Sequence, residues 1–439
     1  MTLPAKHRKI LKIALPAGLN SLLDMLQVIT DLIMVGRISP FAVASVGLGL
    51  QSLMLVFAIL TLFNVGTNAL LSRFVGASKL KRASMGLSTL LIFAFILSLP
   101  VGILWYILSS YIYIWFNTAP EVVELGFEYM QILTLMMPFI FLKLVFVSAL
   151  SASGDTKTAM YLKLVSITLN IILNYALIFG HFGVPPLGVM GAGLSTVIVN
   201  ILELTVYIIL YIKGKMIYQP YIYFSKSLLM RALRVGVPAS IERTLTFSSF
   251  MLFTIIISQY STEVLAGYQI GLRVEGLAFM PGIGFTIAGM ALMGQGLGAK
   301  NPQMARDDVI LVLKYTVGFM FIISLFMILI PEKIVWLFTD DIKTIEEASS
   351  YLFIVAFSQI PLAIQFVISG ALRGAGDSRR TLKINLISIW LVRIIPASLF
   401  SLYFHSVVWV YYAMIADTFI KAIFLWRAFN NGEWQKIRV

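Results

Sequence analysis

The chain has 439 residues, 59% hydrophobic and 12% charged, with a formal net charge of +13. A domain that faces water on all sides carries about 25% charged residues, so this composition excludes a soluble globule and assigns much of the surface to lipid. The absence of cysteine excludes disulfides and thiolate metal sites, and the three histidines, His7, His181 and His405, are too scattered for zinc.

The first ten residues, MTLPAKHRKI, lead into an apolar stretch that runs to about Gly36. It is too long for a signal-peptide core and no small-residue cleavage site follows, so it reads as a retained first helix. About 20 mostly apolar residues suffice to cross the hydrocarbon core. By that measure twelve spans are predicted, at 10–36, 43–75, 84–112, 121–150, 158–182, 188–213, 230–260, 262–297, 304–330, 342–372, 380–404 and 407–429. The expected fold class is all-α, a polytopic membrane protein of twelve transmembrane helices. Glycine and proline recur inside the spans, as membrane helices tolerate.

Basic residues orient these spans. With the N-terminus in the cytoplasm, most of the 33 Lys and Arg fall on the cytoplasmic side, among them Lys6, Arg8, Lys9, Arg73, Lys79, Lys81, Arg82, Lys157, Lys163, Arg306, Arg373, Arg379, Arg427 and Arg438. The outer loops keep Arg37, Lys333 and Lys343. This asymmetry follows the positive-inside rule. It places both termini in the cytoplasm and explains the basic charge without a nucleic-acid partner.

The chain repeats itself at a constant offset. Pro16 and Pro238, Gly76 and Gly298, Trp115-Phe116 and Leu337-Phe338, Tyr129 and Tyr351, and Gly154-Asp155 and Gly376-Asp377 all stand 222 positions apart. Two six-helix lobes, 1–215 and 230–439, are therefore expected. They are joined by a cytoplasmic linker, 216–229, and related by a pseudo-two-fold along the membrane normal. Such an architecture is expected to bind a substrate between the lobes and rock one against the other. Gly76 and Gly298 are read as left-handed caps ending long helices, and Gly154 and Gly376 as tight turns.

Several segments together resemble the MATE (multidrug and toxic compound extrusion) family. They are Asp31-Leu32-Ile33-Met34-Val35-Gly36 after Pro16, Ala69–Ala77 at the end of helix 2, and Asn170-Ile171-Ile172-Leu173-Asn174-Tyr175. Gly183–Gly193, Met293–Ala299 and Gly370–Asp377 complete the pattern, which covers nearly the whole chain. The resemblance implies proton- or sodium-driven antiport of small amphipathic, often cationic compounds, by a monomer in the plasma membrane of a prokaryote. DinF-like members carry an aspartate where this chain has Asn174, so the match lies nearer the NorM-like members. Those also carry acids in helices 7 and 10; here helix 7 has Glu242, and helix 10 has Gln359 and Gln365 but no central carboxylate.

An ionised acid in a membrane helix costs about 2.5–3.5 kcal/mol on insertion scales, so such residues usually face a wet interior and serve function. Asn20, Asp24, Gln27 and Asp31 share one face of helix 1 and are expected to line a cavity. Asp31 is the first candidate for the coupling carboxylate, with Asn170, Asn174, Thr196 and Asp24 as companions. Oxygens of Asp31, Asn170 and Asn174 suit sodium as well as a proton. In the second half Glu242, Arg273 and Glu275 are expected to form an ion-paired network, Arg273 beside either acid. Lys143 and Asp417 are expected to snorkel to an interface. Gln27, Asn64, Asn68, Tyr268, Gln269 and Gln365 are the candidate lining of a substrate cavity.

Two other function classes are weighed. A lipid-linked oligosaccharide flippase of related architecture would need a strongly cationic cavity, against which the helix 1 acid argues. A prenyl-transfer enzyme would need clustered carboxylates for magnesium, yet the adjacent pairs Asp307-Asp308 and Asp340-Asp341 fall near opposite membrane faces. No phosphate-binding loop is present and no cofactor is expected.

Overall fold

The structure, a computed structural model, describes residues 3–115, 118–404 and 406–437, and the side chains of all of these except 3–5 and 110. Phe116, His405 and Arg438 lie outside the described residues. Among the described residues ten helices are long and apolar enough to cross a membrane, and two bent helix pairs bring the spans to twelve when each is taken as one. The twelve spans are numbered α1 to α12. The first lobe holds α1 Leu3–Gly36, α2 Pro40–Gly76, α3 Leu80–Trp115, α4 (Pro120–Leu135 with Met137–Ser153), α5 Thr156–Phe179 and α6 Gly188–Ile212. The second holds α7 Lys226–Ile257, α8 Thr262–Gly298, α9 Pro302–Leu329, α10 (Ile342–Ala356 with Gln359–Gly374), α11 Ser378–Tyr403 and α12 Val408–Asn430. A short helix, Pro331–Trp336, follows α9.

Local chemistry sets the ends and the bends, and sets them twice. Ser39 accepts from the Ala42 amide at 3.1 Å ahead of α2, and Ser261 accepts from the Val264 amide at 3.3 Å ahead of α8. Each is an N-cap that satisfies an orphan donor of the first turn. The two caps stand 222 positions apart. The spans read as continuous at 121–150 and 342–372 are broken, by 51° and 56°. Each second arm carries a proline in its first turn, Pro138 and Pro361, where the missing N–H and the ring's bulk prevent an unbroken ladder. In α11, Ile389–Ile394 form a π-helical turn just ahead of Pro396, the usual way to absorb one extra residue in a helix.

Each lobe has its own core. Phe63, Phe141, Tyr129 and Tyr113 centre the first, and Phe253, Tyr268, Tyr351 and Tyr411 the second. Between α6 and α7 the chain lies extended against α3. Hydroxyls of Ser84, Ser88 and Thr89 accept from the amides of Gln219, Tyr223 and Ser225 at 2.9, 2.9 and 3.2 Å. A connection without helical hydrogen bonds needs such partners.

The lobes meet at the end that carries both termini. Ser240 of α7 donates to the Ala58 carbonyl of α2 at 2.7 Å, and Val65, Ala69, Val235, Ala239 and Met290 form an apolar seam between lobes. Arg73 donates to the Ala375 carbonyl at 2.7 Å and Gln295 to the Ala152 carbonyl at 2.9 Å. His7 pairs with Tyr315 at 2.5 Å. Toward the opposite end the polar face of α1 opens, and the Asp24 side chain is 58% exposed. These lobe contacts lie toward the terminal end, and the cleft expected between the lobes is read as opening away from it.

Gly76 and Gly298 do not serve as left-handed caps. At these two helix ends the residues with positive φ are Ser78 and Lys300, both at 55°. The glycines are needed for close approach: a Cβ on Gly76 would run into the Gln295 backbone, and one on Gly298 into the Arg73 carbonyl. Gly154 and Gly376 do take left-handed turns, with φ of 90° and 91°.

A candidate cation-coupling site

The four polar residues of α1 share a face, as their spacing requires, but that face packs on α5. Asp31 Oδ1 accepts from Asn174 Nδ2 at 2.5 Å. The same amide donates to Asn170 Oδ1 at 3.2 Å, and Ser195 of α6 donates to Asn174 Oδ1. Asp31 is 9% exposed and both asparagines are fully buried. One turn and more below, Lys163 Nζ reaches Asp24 Oδ1 at 2.6 Å and Gln27 Oε1 at 2.7 Å, while Asn20 lies 3.5 Å from Asp24. Lys163, Asn170 and Asn174 fall on one face of α5 because steps of 7 and 4 residues return to nearly the same helical azimuth. Placed in the cytoplasmic count by sequence position, Lys163 is in fact 7% exposed and inside the lobe.

Asp31, Asn170, Asn174 and Asp24 are thus gathered along one contact between α1 and α5. Thr196 is not in it: its hydroxyl donates to the Ala192 carbonyl at 3.1 Å. The neighbouring Ser195 takes the place, since one residue along a helix turns the side chain by about 100°. A second cluster lies beside this one. Lys143 does not snorkel; it donates to Asn200 Oδ1 at 2.6 Å and Glu203 Oε2 at 3.2 Å, and Ser166 donates to Glu203 at 2.9 Å.

In the second lobe the expected network is rearranged. Arg273 is exposed and, among the described residues, makes no ion pair. Glu242 instead takes Arg373 at 2.5 Å, Thr381 at 3.0 Å and the Asn385 amide. Glu275 accepts from Tyr351 at 2.8 Å. Asp417 does not reach an interface either: it is fully buried, with Arg393 at 2.7 Å, Lys421 at 2.8 Å and Ser388 at 2.5 Å. A carboxylate between two cations satisfies the rule that buried charge is paired. Arg393 lies in the π turn of α11.

The candidate lining residues divide. Gln27 is buried against Lys163. Asn64 is half-buried and Gln269 exposed. Asn68 is buried and its Oδ1 has no partner among the described residues. Gln365 donates to the Thr418 carbonyl at 2.8 Å, bridging α10 and α12. Tyr268 is fully buried in an aromatic cluster with Phe253, Tyr351 and Tyr411. Sequence reasoning passes over Glu203 and Ser195, reads Tyr351 only as a repeat position, and misplaces Asp417. For Glu203 a signal existed, a lone acid in an apolar helix.

Comparison with known proteins agrees with this architecture. The MatE family model matches residues 16–176 and again 238–399. The two matches begin 222 positions apart, the offset of the internal repeat. A probable multidrug resistance protein NorM of Thermotoga maritima is 30% identical over 444 aligned positions, covering 99% of this chain and 94% of that protein. In fold, the chain is similar to a crystal structure of MATE in complex with MaL6 (TM-score 0.91, 20% identity, 98% of each chain). It is also similar to an outward-facing conformation of a multidrug resistance MATE family transporter of the MOP superfamily (TM-score 0.88, 21% identity, 98% of this chain and 97% of that one). With both halves matched and a relative aligned along nearly its full length, this chain belongs to the MatE family, on its NorM-like side.

Proposed function

We propose that the protein exports amphipathic, cationic compounds across a bacterial plasma membrane in exchange for an inward-moving cation. The lobes 1–215 and 230–439, joined by 216–229, would rock against each other in a single working chain. The concentration of Lys and Arg at the terminal end supports cytoplasmic termini. The cleft then opens outward, the state in which cargo leaves and the coupling ion enters.

One observation carries the reading. Asp31 is a buried acid in a membrane helix at the α1–α5 contact inside the first lobe, and no basic side chain lies within ion-pair distance among the described residues. Such a carboxyl is costly when ionised unless a proton or cation binds it. The amide hydrogens of Asn174, not its oxygen, face Asp31 and Asn170. That arrangement favours a proton over sodium at Asp31, Asn170 and Asn174, since sodium would require the amide to turn its oxygen inward. A flippase for pyrophosphate-linked sugars would want a cationic cleft; the cleft here presents Asp24.

The test is dye efflux from vesicles under an imposed proton or sodium gradient, with Asp31→Asn beside the parent. Export by the variant should fall to the level without a gradient. Equal export by variant and parent under both gradients removes Asp31 from the coupling role.

A further inference from the structure

Asp24, Asp31, Glu203, Glu242, Glu275 and Asp417 are six of the carboxylates within the membrane-spanning helices. Four have a basic side chain within ion-pair distance: Lys163, Lys143, Arg373, and the pair Arg393 and Lys421. Asp31 and Glu275 have none among the described residues. They sit in different lobes. Burial without a counter-charge penalises the ionised form, so what holds for Asp31 holds for Glu275.

We propose that Glu275 is a second proton-binding carboxyl, located in the second lobe. The residue is 7% exposed, and its one hydrogen-bond partner among the described residues is the Tyr351 hydroxyl, donating to Oε2 at 2.8 Å. The helix is shaped for that contact. A Cβ on Gly271, one turn before Glu275, would run into the Tyr351 ring, so the glycine makes room for the ring whose hydroxyl reaches the acid. Tyr351 is a positioning residue. Its ring lies edge-on to Tyr268 and Tyr411, with centroids 5.4 and 5.0 Å away. The hydroxyls of Tyr268 and Tyr411 are buried without partners among the described residues, so the cluster holds unused acceptors for an acid proton.

The charged and titratable groups that face Glu275 are Tyr351 from α10, Tyr268 from α8 itself, Tyr411 from α12 beyond them, and Arg393 from α11. Arg393 is already engaged by Asp417 at 2.7 Å. A hard metal cation is held by a shell of about six oxygens, and among the described residues Glu275 has one hydrogen-bonded oxygen partner. Proton uptake needs none: one O–H bond forms on the carboxyl, and loss of the proton returns the carboxylate to the Tyr351 hydroxyl. If the exporter reading holds, the transporter carries two protonation sites, one in each lobe.

Difference infrared spectroscopy on the purified, full-length protein tests this without relying on transport. A pH step should raise two carbonyl bands of buried protonated carboxyls. Glu275→Gln should abolish one and Asp31→Asn the other. Tyr351→Phe should shift the Glu275 band while leaving the Asp31 band in place, which a purely structural role for Glu275 would not produce. An unchanged spectrum in Glu275→Gln overturns the proposal. So does a Glu275 band whose midpoint moves when sodium replaces choline, because that marks a metal-cation site. If Glu275→Gln fails to fold, the Tyr351→Phe shift decides alone, and its absence is fatal. Loss of the Asp31 band alone leaves the proposal for Glu275 to fall and the coupling role of Asp31 standing; the reverse pattern does the opposite.

Discussion

Arg73 and Gln295 stand 222 positions apart and make the same bridge in opposite directions. Arg73, at the end of α2, donates to the Ala375 carbonyl at the end of α10; Gln295, at the end of α8, donates to the Ala152 carbonyl at the end of α4. The two helix ends cross at Gly76 and Gly298, each of which abuts the other bridge's residue. The pseudo-two-fold thus runs through this crossing, and the crossing closes the terminal end of the cleft.

Removing Arg73 should therefore favour the opposite conformation. A hydrogen bond from a charged donor contributes about 1.5–3 kcal/mol, so Arg73→Ala should shift the balance between closed and open terminal ends by at least about tenfold. The chain has no cysteine, so cysteines introduced at Lys79 and Lys300 give a clean spin-label pair across the crossing. Pulsed distance measurements should show a longer population in Arg73→Ala and a smaller one in Gln295→Ala, whose bridge is uncharged. Identical distance distributions in all three proteins would rule out a latch.

Gly76→Ala tests the same crossing by bulk. The added Cβ has no room against the Gln295 backbone, and overpacking costs about 1–3 kcal/mol. Because the cost applies only when the lobes are closed there, the same label pair should report opening, with little change in the unfolding temperature of the separate lobes. A lowered unfolding temperature with an unchanged distance would place the strain inside a lobe instead.

The Asp417 triad should matter to folding. Asp417→Asn leaves Arg393 and Lys421 buried without a counter-charge, a loss of about 3–5 kcal/mol for a broken buried pair. Thermal unfolding in detergent should fall steeply for Asp417→Asn. Part should return in the double variant Asp417→Asn with Lys421→Met, which removes one stranded charge. A double variant no more stable than the single one argues against pairing as the cause.

Asp24 and Lys163 should respond unequally to removal. The lysine is 7% exposed and the acid 58%, so losing Asp24 strands a buried ammonium while losing Lys163 leaves an acid that water can solvate. Asp24→Asn should destabilise more than Lys163→Met by thermal unfolding. Equal losses would mean that the pair is screened as a surface pair is.

Much of the architecture is legible in the residues. Hydropathy over about 20 residues locates a span whatever its neighbours are, because lipid acts on each helix alone. The repeat survives as matched prolines and glycines, since backbone demands at a bend or crossing admit few residue types. The polar stripe of α1 is likewise a property of one helix. Partners are another matter. Arg273 looks as well placed for Glu242 as Arg373 does, and only the bend in α10 and the packing of α11 bring Arg373, Thr381 and Asn385 onto that acid. Lys163 reads as a charge at the cytoplasmic end of helix 5 until the packing of α1 on α5 buries it against Asp24 and Gln27.

Composition, period and repeat by themselves determined that this chain is a twelve-span, two-lobe membrane protein, and they marked Asp31 as its acid of interest. Tertiary structure decided which carboxylates are paired, with Asp31 and Glu275 among those that have no cation at ion-pair distance among the described residues, and at which end the lobes touch. The reason is physical: transfer to lipid is a property of each segment, whereas an ion pair depends on a few ångströms between helices far apart in the chain, and the distance is set by packing.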